Sequence, residues 1–84
     1  MAILKAYSIR DVRVEAYNRP SFVQNENVMR RSVEEALMSE SHAFAFHPED
    51  FQVFYIGEFD DQTGKFEPVA PEHVFNVVDC KKGE

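Results

Sequence analysis

Several residue types on which small proteins often depend are scarce in this chain. It contains one cysteine, Cys80, and three glycines among its 84 residues. A single cysteine excludes an internal disulfide and fits a reducing compartment, and so few glycines argue against a glycine-rich phosphate-binding loop. Apolar runs are far shorter than the roughly 20 residues that cross a bilayer, and no basic region precedes a long apolar stretch at the N-terminus. We therefore expect a soluble, cytoplasmic protein.

Basic residues are also scarce relative to acidic ones. Nine Lys and Arg oppose fifteen Asp and Glu, so the formal net charge is -6, which argues against generic coating of nucleic acid. The charge is uneven along the chain: residues 1–31 hold six basic and three acidic residues, a net of +3, and the remainder carries -9. The sequence fits a mildly basic surface and an acidic one on different sides of a small body, or ordinary mixed surface charge.

Aromatic and β-branched residues are abundant, and between Phe51 and Phe59 they predict a β-strand. The polar residues 60–64 interrupt this run. Gly64 adopts positive φ without a steric clash, so a type I turn followed by Gly64 as a left-handed bulge residue closes a β-hairpin. The return strand begins at Lys65, and we expect the two prolines that follow to limit it to a few residues at a sheet edge.

Other segments predict one helix and further strands. Residues Ile3–Arg10 carry apolar side chains on both alternating faces, which suits a central strand. The segment up to Pro20 alternates weakly and is expected to be irregular or at an edge. Apolar residues at helical spacing predict an α-helix over Glu26–Ser39, with Asn25 as its N-cap. Residues 72–78 fit either a short helix or a last strand.

These elements predict one α+β domain spanning residues 1–84, with residues 81–84 as a frayed tail. Its expected architecture is a small antiparallel sheet of three to four strands with one main α-helix packed on one face. A chain of this size supports a modest core, for which we expect Phe rings packed on Val, Leu and Ile. The small core and the exposed sheet edges also favour a homodimer.

Residue types that carry chemistry are present, but their spacing points to no reaction. The potential metal ligands are His42, His47, His73 and Cys80, and they lack the spacing of a zinc site. Asp60 and Asp61 fit turn capping better than a calcium loop. Adjacent carboxylates such as Glu34 and Glu35 do not face each other across a substrate, and no nucleophile–base pair is evident. We therefore predict no catalytic, metal-binding or cofactor-binding residues, no cofactor and no enzymatic activity.

The first third of the chain contains a constellation typical of single-strand binders, which combine cationic side chains with aromatic rings on which bases stack. Its members, our candidate nucleic-acid contacts, are Arg10, Arg13, Tyr17, Arg19, Arg30 and Arg31. The sequence is equally consistent with arginines that face solvent or that bind the acidic surface of a second copy of the chain.

Three ordered motifs give the chain a family resemblance. They are LKAYSIRD at residues 4–11, EAYNRPSF at 15–22 and, most distinctive, HPEDFQVFYIGEFDDQTGKF at 47–66. Across nearly the whole chain this pattern resembles the small non-structural protein of gokushoviruses, which are tailless microviruses with circular single-stranded DNA genomes. That protein is generally equated with the C protein of the coliphage branch of the Microviridae.

The resemblance implies a bacteriophage protein that helps switch viral DNA synthesis from duplex intermediates to the single-stranded genomes made during packaging. It implies action in the host bacterial cytoplasm, away from membranes, by binding phage replication or procapsid proteins rather than by catalysis. Two alternatives stay open. One is direct binding of single-stranded DNA through Arg10, Arg13, Tyr17 and Arg19, and the other is structural homo-oligomerisation by strand addition at an exposed hairpin edge.

Overall fold

A computed structural model of the chain describes residues 3–38 and 46–80. Within them, one α-helix packs on one face of a five-stranded antiparallel sheet, which confirms the predicted α+β class. The strands are β1 (Ile3–Asp11), β2 (Ala16–Tyr17), β3 (Ser21–Val23), β4 (Phe51–Asp60) and β5 (Phe66–Asn76), and the helix is α1 (Glu26–Leu37). Short 3-10 turns cover Pro48–Asp50 and Val77–Cys80. The predicted frayed tail, residues 81–84, lies outside the described residues.

β1 is the central strand, as its apolar residues on both faces predicted. It pairs with β4 along one edge and with both β2 and β3 along the other, and β5 pairs with the far edge of β4. The sheet has five strands rather than three to four because two short strands, β2 and β3, pair with the second edge of β1. β2 belongs to the segment predicted to be irregular or at an edge, and β3 follows Pro20. Pro20 lies between them, where it cannot donate the N–H that a continuous ladder needs.

The hairpin between β4 and β5 closes as predicted. Gly64 has a φ of 78°, and its N–H donates to the carbonyl oxygen of Asp60 at 2.8 Å. The side chain of Asp60 accepts hydrogen bonds from the N–H groups of Gln62 and Thr63, at 2.9 and 3.4 Å. These bonds confirm the turn-capping role predicted for Asp60.

The return strand is longer than the sequence predicted. β5 continues through Pro68 and Pro71 to Asn76, and this also settles most of the ambiguous segment 72–78 as strand. The prolines are tolerated because β5 is an edge strand that pairs with β4 alone. Between the pairs Gly57–Pro68 and Tyr55–Glu72, β4 contributes one residue and β5 contributes three, so Pro71 lies in a bulge.

α1 begins as predicted, since the side-chain oxygen of Asn25 accepts a hydrogen bond from the N–H of Val28 at 3.0 Å. It ends at Leu37, before the predicted end at Ser39, with Met38 as its C-cap. No described helix has the length and apolar character needed to cross a bilayer.

The core lies between α1 and one face of the sheet. Its buried members are Tyr7, Ile9, Met29, Val33, Val53, Phe75, Val77 and Cys80. Phe75 is the one described phenylalanine in this buried set, so the expectation of a core built mainly from Phe rings is wrong. Most of the other described phenylalanines lie on the opposite face of the sheet, because the strand register directs them there.

Candidate nucleic-acid interface

The two faces of the sheet are separated by the alternation of side chains along β1. Tyr7 and Ile9 point into the core beneath α1, so Ala6, Ser8 and Arg10 point to the opposite side. We call this opposite side the aromatic face and the other side the helix-bearing face. By register, the aromatic face contains Leu4, Ala6, Ser8, Arg10, Tyr17, Phe22, Gln52, Phe54, Gly57, Phe59, Phe66, Pro68, His73 and Asn76.

Six rings on this face form two clusters. Cluster 1 contains Tyr17, Phe54 and His73, with ring centroids 5.4 and 5.5 Å apart in edge-to-face contacts. Cluster 2 contains Phe22, Phe59 and Phe66, with Phe22 at 5.3 Å from Phe59 and 6.3 Å from Phe66. Tyr17, Phe22 and Phe66 are 45%, 47% and 38% exposed. Both clusters therefore offer solvent-accessible aromatic surface on the β-sheet.

A bulge in β4 aligns the two clusters on one face. Phe54 and Phe59 are five residues apart, which in a regular strand would place them on opposite faces. Ile56 is the extra residue: Tyr55 pairs with Tyr7 and Gly57 pairs with Ala6, so β1 has no counterpart for it. The bulge therefore returns Phe59 to the side on which Phe54 already lies.

Gly57 allows cluster 2 to pack closely. A Cβ atom at this position would lie 2.8 Å from the Cζ of Phe66 and 2.5 Å from the backbone oxygen of Glu67. The ring of Phe66 thus occupies the space that any side chain at Gly57 would need.

Hydrogen bonds to Asn18 fix the position of Tyr17 in cluster 1. The side-chain oxygen of Asn18 accepts a bond from the N–H of Ile9 at 2.9 Å, and the hydroxyl of Ser8 donates to its backbone oxygen at 2.8 Å. The segment that follows β2 is thereby attached to β1. Tyr17 then lies opposite Arg10 in the register, on the same face.

Charge is segregated between the two faces of the sheet. The acidic residues within the strands are Asp11, Glu58, Asp60, Glu67 and Glu72, and the pairing places all five on the helix-bearing face. The aromatic face has Arg10 and no Asp or Glu at its register positions. In the described part of the chain, ion pairs engage Lys5, Arg13, Arg30 and Lys65 but not Arg10. A protein of net charge -6 thus has one face on which the strands place no negative charge.

The structure divides the six candidate contacts between different surfaces. Arg10 and Tyr17 lie side by side on the aromatic face, and Arg19 is exposed in the segment between β2 and β3. Arg13 is in the turn before β2, where it pairs with Asp50 at 3.6 Å.

The two remaining candidates belong to α1, in the layer on the other side of the sheet. Arg30 lies over the ring of Phe75, with its guanidinium carbon 4.3 Å from the centroid, and pairs with Glu26 at 3.5 Å. Arg31 is exposed on the helix surface. These two arginines cannot join Arg10 in a single contact surface, because the sheet separates them.

Sequence reasoning did not identify most of the rings on the aromatic face. The missed residues are Phe22, Phe54, Phe59, Phe66 and His73. The five-residue spacing in β4 hides their shared orientation, and the longer β5 was not expected. Gly57, a glycine inside an aromatic strand run, is the sequence signal from which the bulge could have been predicted.

Other titratable groups lie away from this face. His47, Glu49 and Asp50 offer ligand atoms within 4.8 Å of one another, but they are on the surface and Asp50 already pairs with Arg13. Such clusters are common without an ion, and we assign no metal to this one. In the described part of the chain, His73 and Cys80 do not join the group, and His42 lies outside the described residues. Burial raises the pKa of the Cys80 thiol, as expected for an unreactive core cysteine.

Comparison with known proteins gives one match. No curated protein and no solved structure matches the chain. A family model described as "Phage ORF5 protein" matches residues 4–80, which include every strand position of both ring clusters. The chain therefore belongs to the phage ORF5 protein family.

Proposed function

We propose that this phage protein acts in the synthesis and packaging of a single-stranded DNA genome and contacts the single strand through its aromatic face. One face of an acidic chain combines three features, and their combination carries the proposal. The face has exposed rings, its strands place no Asp or Glu there, and its Arg10 forms no ion pair within the described residues. Nucleobases stack on aromatic rings, and each stacked base contributes about 1–3 kcal/mol. The resemblance to gokushovirus proteins supplies the genome type.

A single strand suits this face better than a duplex. Bases in a duplex are stacked on each other, and their edges are read from the grooves by an inserted helix or ribbon. The described helix carries three Glu and two Arg, so its net charge is negative, which disfavours insertion into a groove lined by phosphates. Unpaired bases expose their planes, which the two ring clusters match.

Binding of this kind needs no catalysis, and we propose a non-enzymatic role in the bacterial host cytoplasm. A replication or procapsid protein remains our proposal for the protein partner, with no surface assigned to it. Strand addition in a homodimer is less favoured by the edges, because β5 contains Pro68 and Pro71 and the other edge is divided at Pro20.

The arginines provide the test, because the sheet separates two chemically matched positions. We propose to titrate a fluorescein-labelled oligothymidylate with the wild-type chain, Arg10→Gln and Arg31→Gln, following anisotropy at several salt concentrations. Arg10→Gln is expected to weaken binding by about 1 kcal/mol, or about fivefold, and to reduce the salt slope by about 0.7. Arg31→Gln, which removes the same charge from α1, should leave both values nearly unchanged.

Two results would contradict the proposal. Absence of binding by the wild-type chain at low salt would exclude direct contact with the strand. Binding to a replication or procapsid protein would then be the proposal that is left. Equal losses for Arg10→Gln and Arg31→Gln would show that binding follows net charge and not the aromatic face.

A further inference from the structure

We infer that the aromatic face holds a single strand at two separate stacking points and therefore selects strands long enough to bridge them. This inference rests on the proposed function and specifies the ligand of the same site. It follows from the division of the six rings into cluster 1 and cluster 2. Among the described residues, no ring contact joins one cluster to the other.

The register gives the separation of the most exposed rings of the two clusters. Tyr17 of cluster 1 lies opposite Arg10, and Phe22 of cluster 2 lies opposite Ala6, on the same edge of β1. These positions are four residues apart on β1, or about 13 Å at the rise of an antiparallel strand. A stacked strand advances about 3.4 Å per nucleotide, so this distance corresponds to about four nucleotide steps.

The residue of β1 that lies between these two positions on the aromatic face offers no stacking surface. Ser8 lies between Arg10 and Ala6, is 2% exposed, and its hydroxyl donates to the backbone oxygen of Asn18 at 2.8 Å. Nucleotides that pass Ser8 are expected to contribute phosphates and sugars but no stacking. Binding should therefore depend on where bases are placed along the strand.

The experiment uses two eight-unit DNA strands that are abasic except for two thymines. In one strand the thymines are adjacent, and in the other three abasic units separate them. Charge, length and base content are identical, so the phosphate contribution is the same in both. We expect the separated thymines to bind about tenfold more tightly, because they reach both clusters while adjacent ones reach one. Octathymidylate serves as the reference for binding by the face as a whole.

A variant with cluster 2 removed makes the comparison specific. Phe22→Leu combined with Phe66→Leu replaces two exposed rings by apolar side chains, so the fold is expected to persist, as circular dichroism would check. In this variant the advantage of the separated thymines should disappear while the adjacent thymines bind as before. If octathymidylate binds the wild-type chain but both placements bind equally, the two-point inference is overturned and the proposed function stands. If octathymidylate does not bind, both fail.

Discussion

Replacement of Gly57 by alanine tests whether the bulge and cluster 2 are built as described. Gly57 has a φ of 154°, and an added Cβ would lie 2.5 Å from the backbone oxygen of Glu67 and 2.8 Å from the Phe66 ring. The ring could move, but the oxygen belongs to the paired strand β5. Overpacking of this kind costs about 1–3 kcal/mol, and the unfavourable φ adds about 1 kcal/mol. We expect a total loss of about 3 kcal/mol in the free energy of unfolding.

Gly64→Ala is the matched control for this prediction. Gly64 also has a positive φ, 78°, but an added Cβ would have no neighbour within 4 Å. Only the backbone cost of about 1 kcal/mol applies there. Urea unfolding followed by circular dichroism should therefore place Gly57→Ala about 2 kcal/mol below Gly64→Ala. In thermal unfolding the same difference corresponds to about 8–16 °C in Tm for a domain of this size. Equal losses in the two variants would refute the close approach of β5 at Gly57.

Three further predictions concern the helix, the core and alkaline pH. Asn25→Ala should lower the free energy of unfolding by about 1 kcal/mol through loss of the N-cap bond, and Asn25→Asp should restore most of it, as urea unfolding would measure. Val33→Ala should cost about 2 kcal/mol in the same assay because Val33 is 1% exposed, whereas Val28→Ala, at a position 38% exposed, should cost much less. Burial, and to a smaller extent repulsion from Glu26, raises the pKa of the Tyr7 phenol above its ordinary 10.0. The contribution of the neutral phenol to the free energy of unfolding is therefore complete below pH 10 and is lost as the pH rises through the raised pKa. Unfolding measured from pH 8 to 12 should show this decline, and Tyr7→Phe should reduce it.

The local signals in the sequence were sufficient for most of the fold. Gly64 and Asp60 define the hairpin turn, and Asn25 defines the start of α1, because each acts on backbone groups within a few residues. The length of β5 could not be predicted in the same way. Proline ends a strand when both of its edges are paired, and whether β5 has a free edge depends on the order of strands in the whole sheet.

The candidate site was predicted only in part for a related reason. Along the sequence, the first third of the chain is basic and the remainder is acidic. In the folded sheet, the acidic strand residues lie on the helix-bearing face and Arg10 lies on the aromatic face. Arg10 and Tyr17 fall on one face because β1 and β2 pair there, and Glu58 and Glu72 fall on the other. The bulge at Ile56 changes which side chains share a face, and a single extra residue of this kind leaves no clear period in the sequence.

The central claim, that the aromatic face contacts single-stranded DNA, is tested most directly by locating the contact. An oligothymidylate in which bromodeoxyuridine replaces several thymidines can be cross-linked to the chain by ultraviolet light, and the modified residues identified by peptide mass spectrometry. We predict cross-links at Tyr17, Phe22 and Phe54, on the aromatic face. Cross-links confined to α1, or to Tyr7 and Tyr55 on the helix-bearing face, would contradict the account.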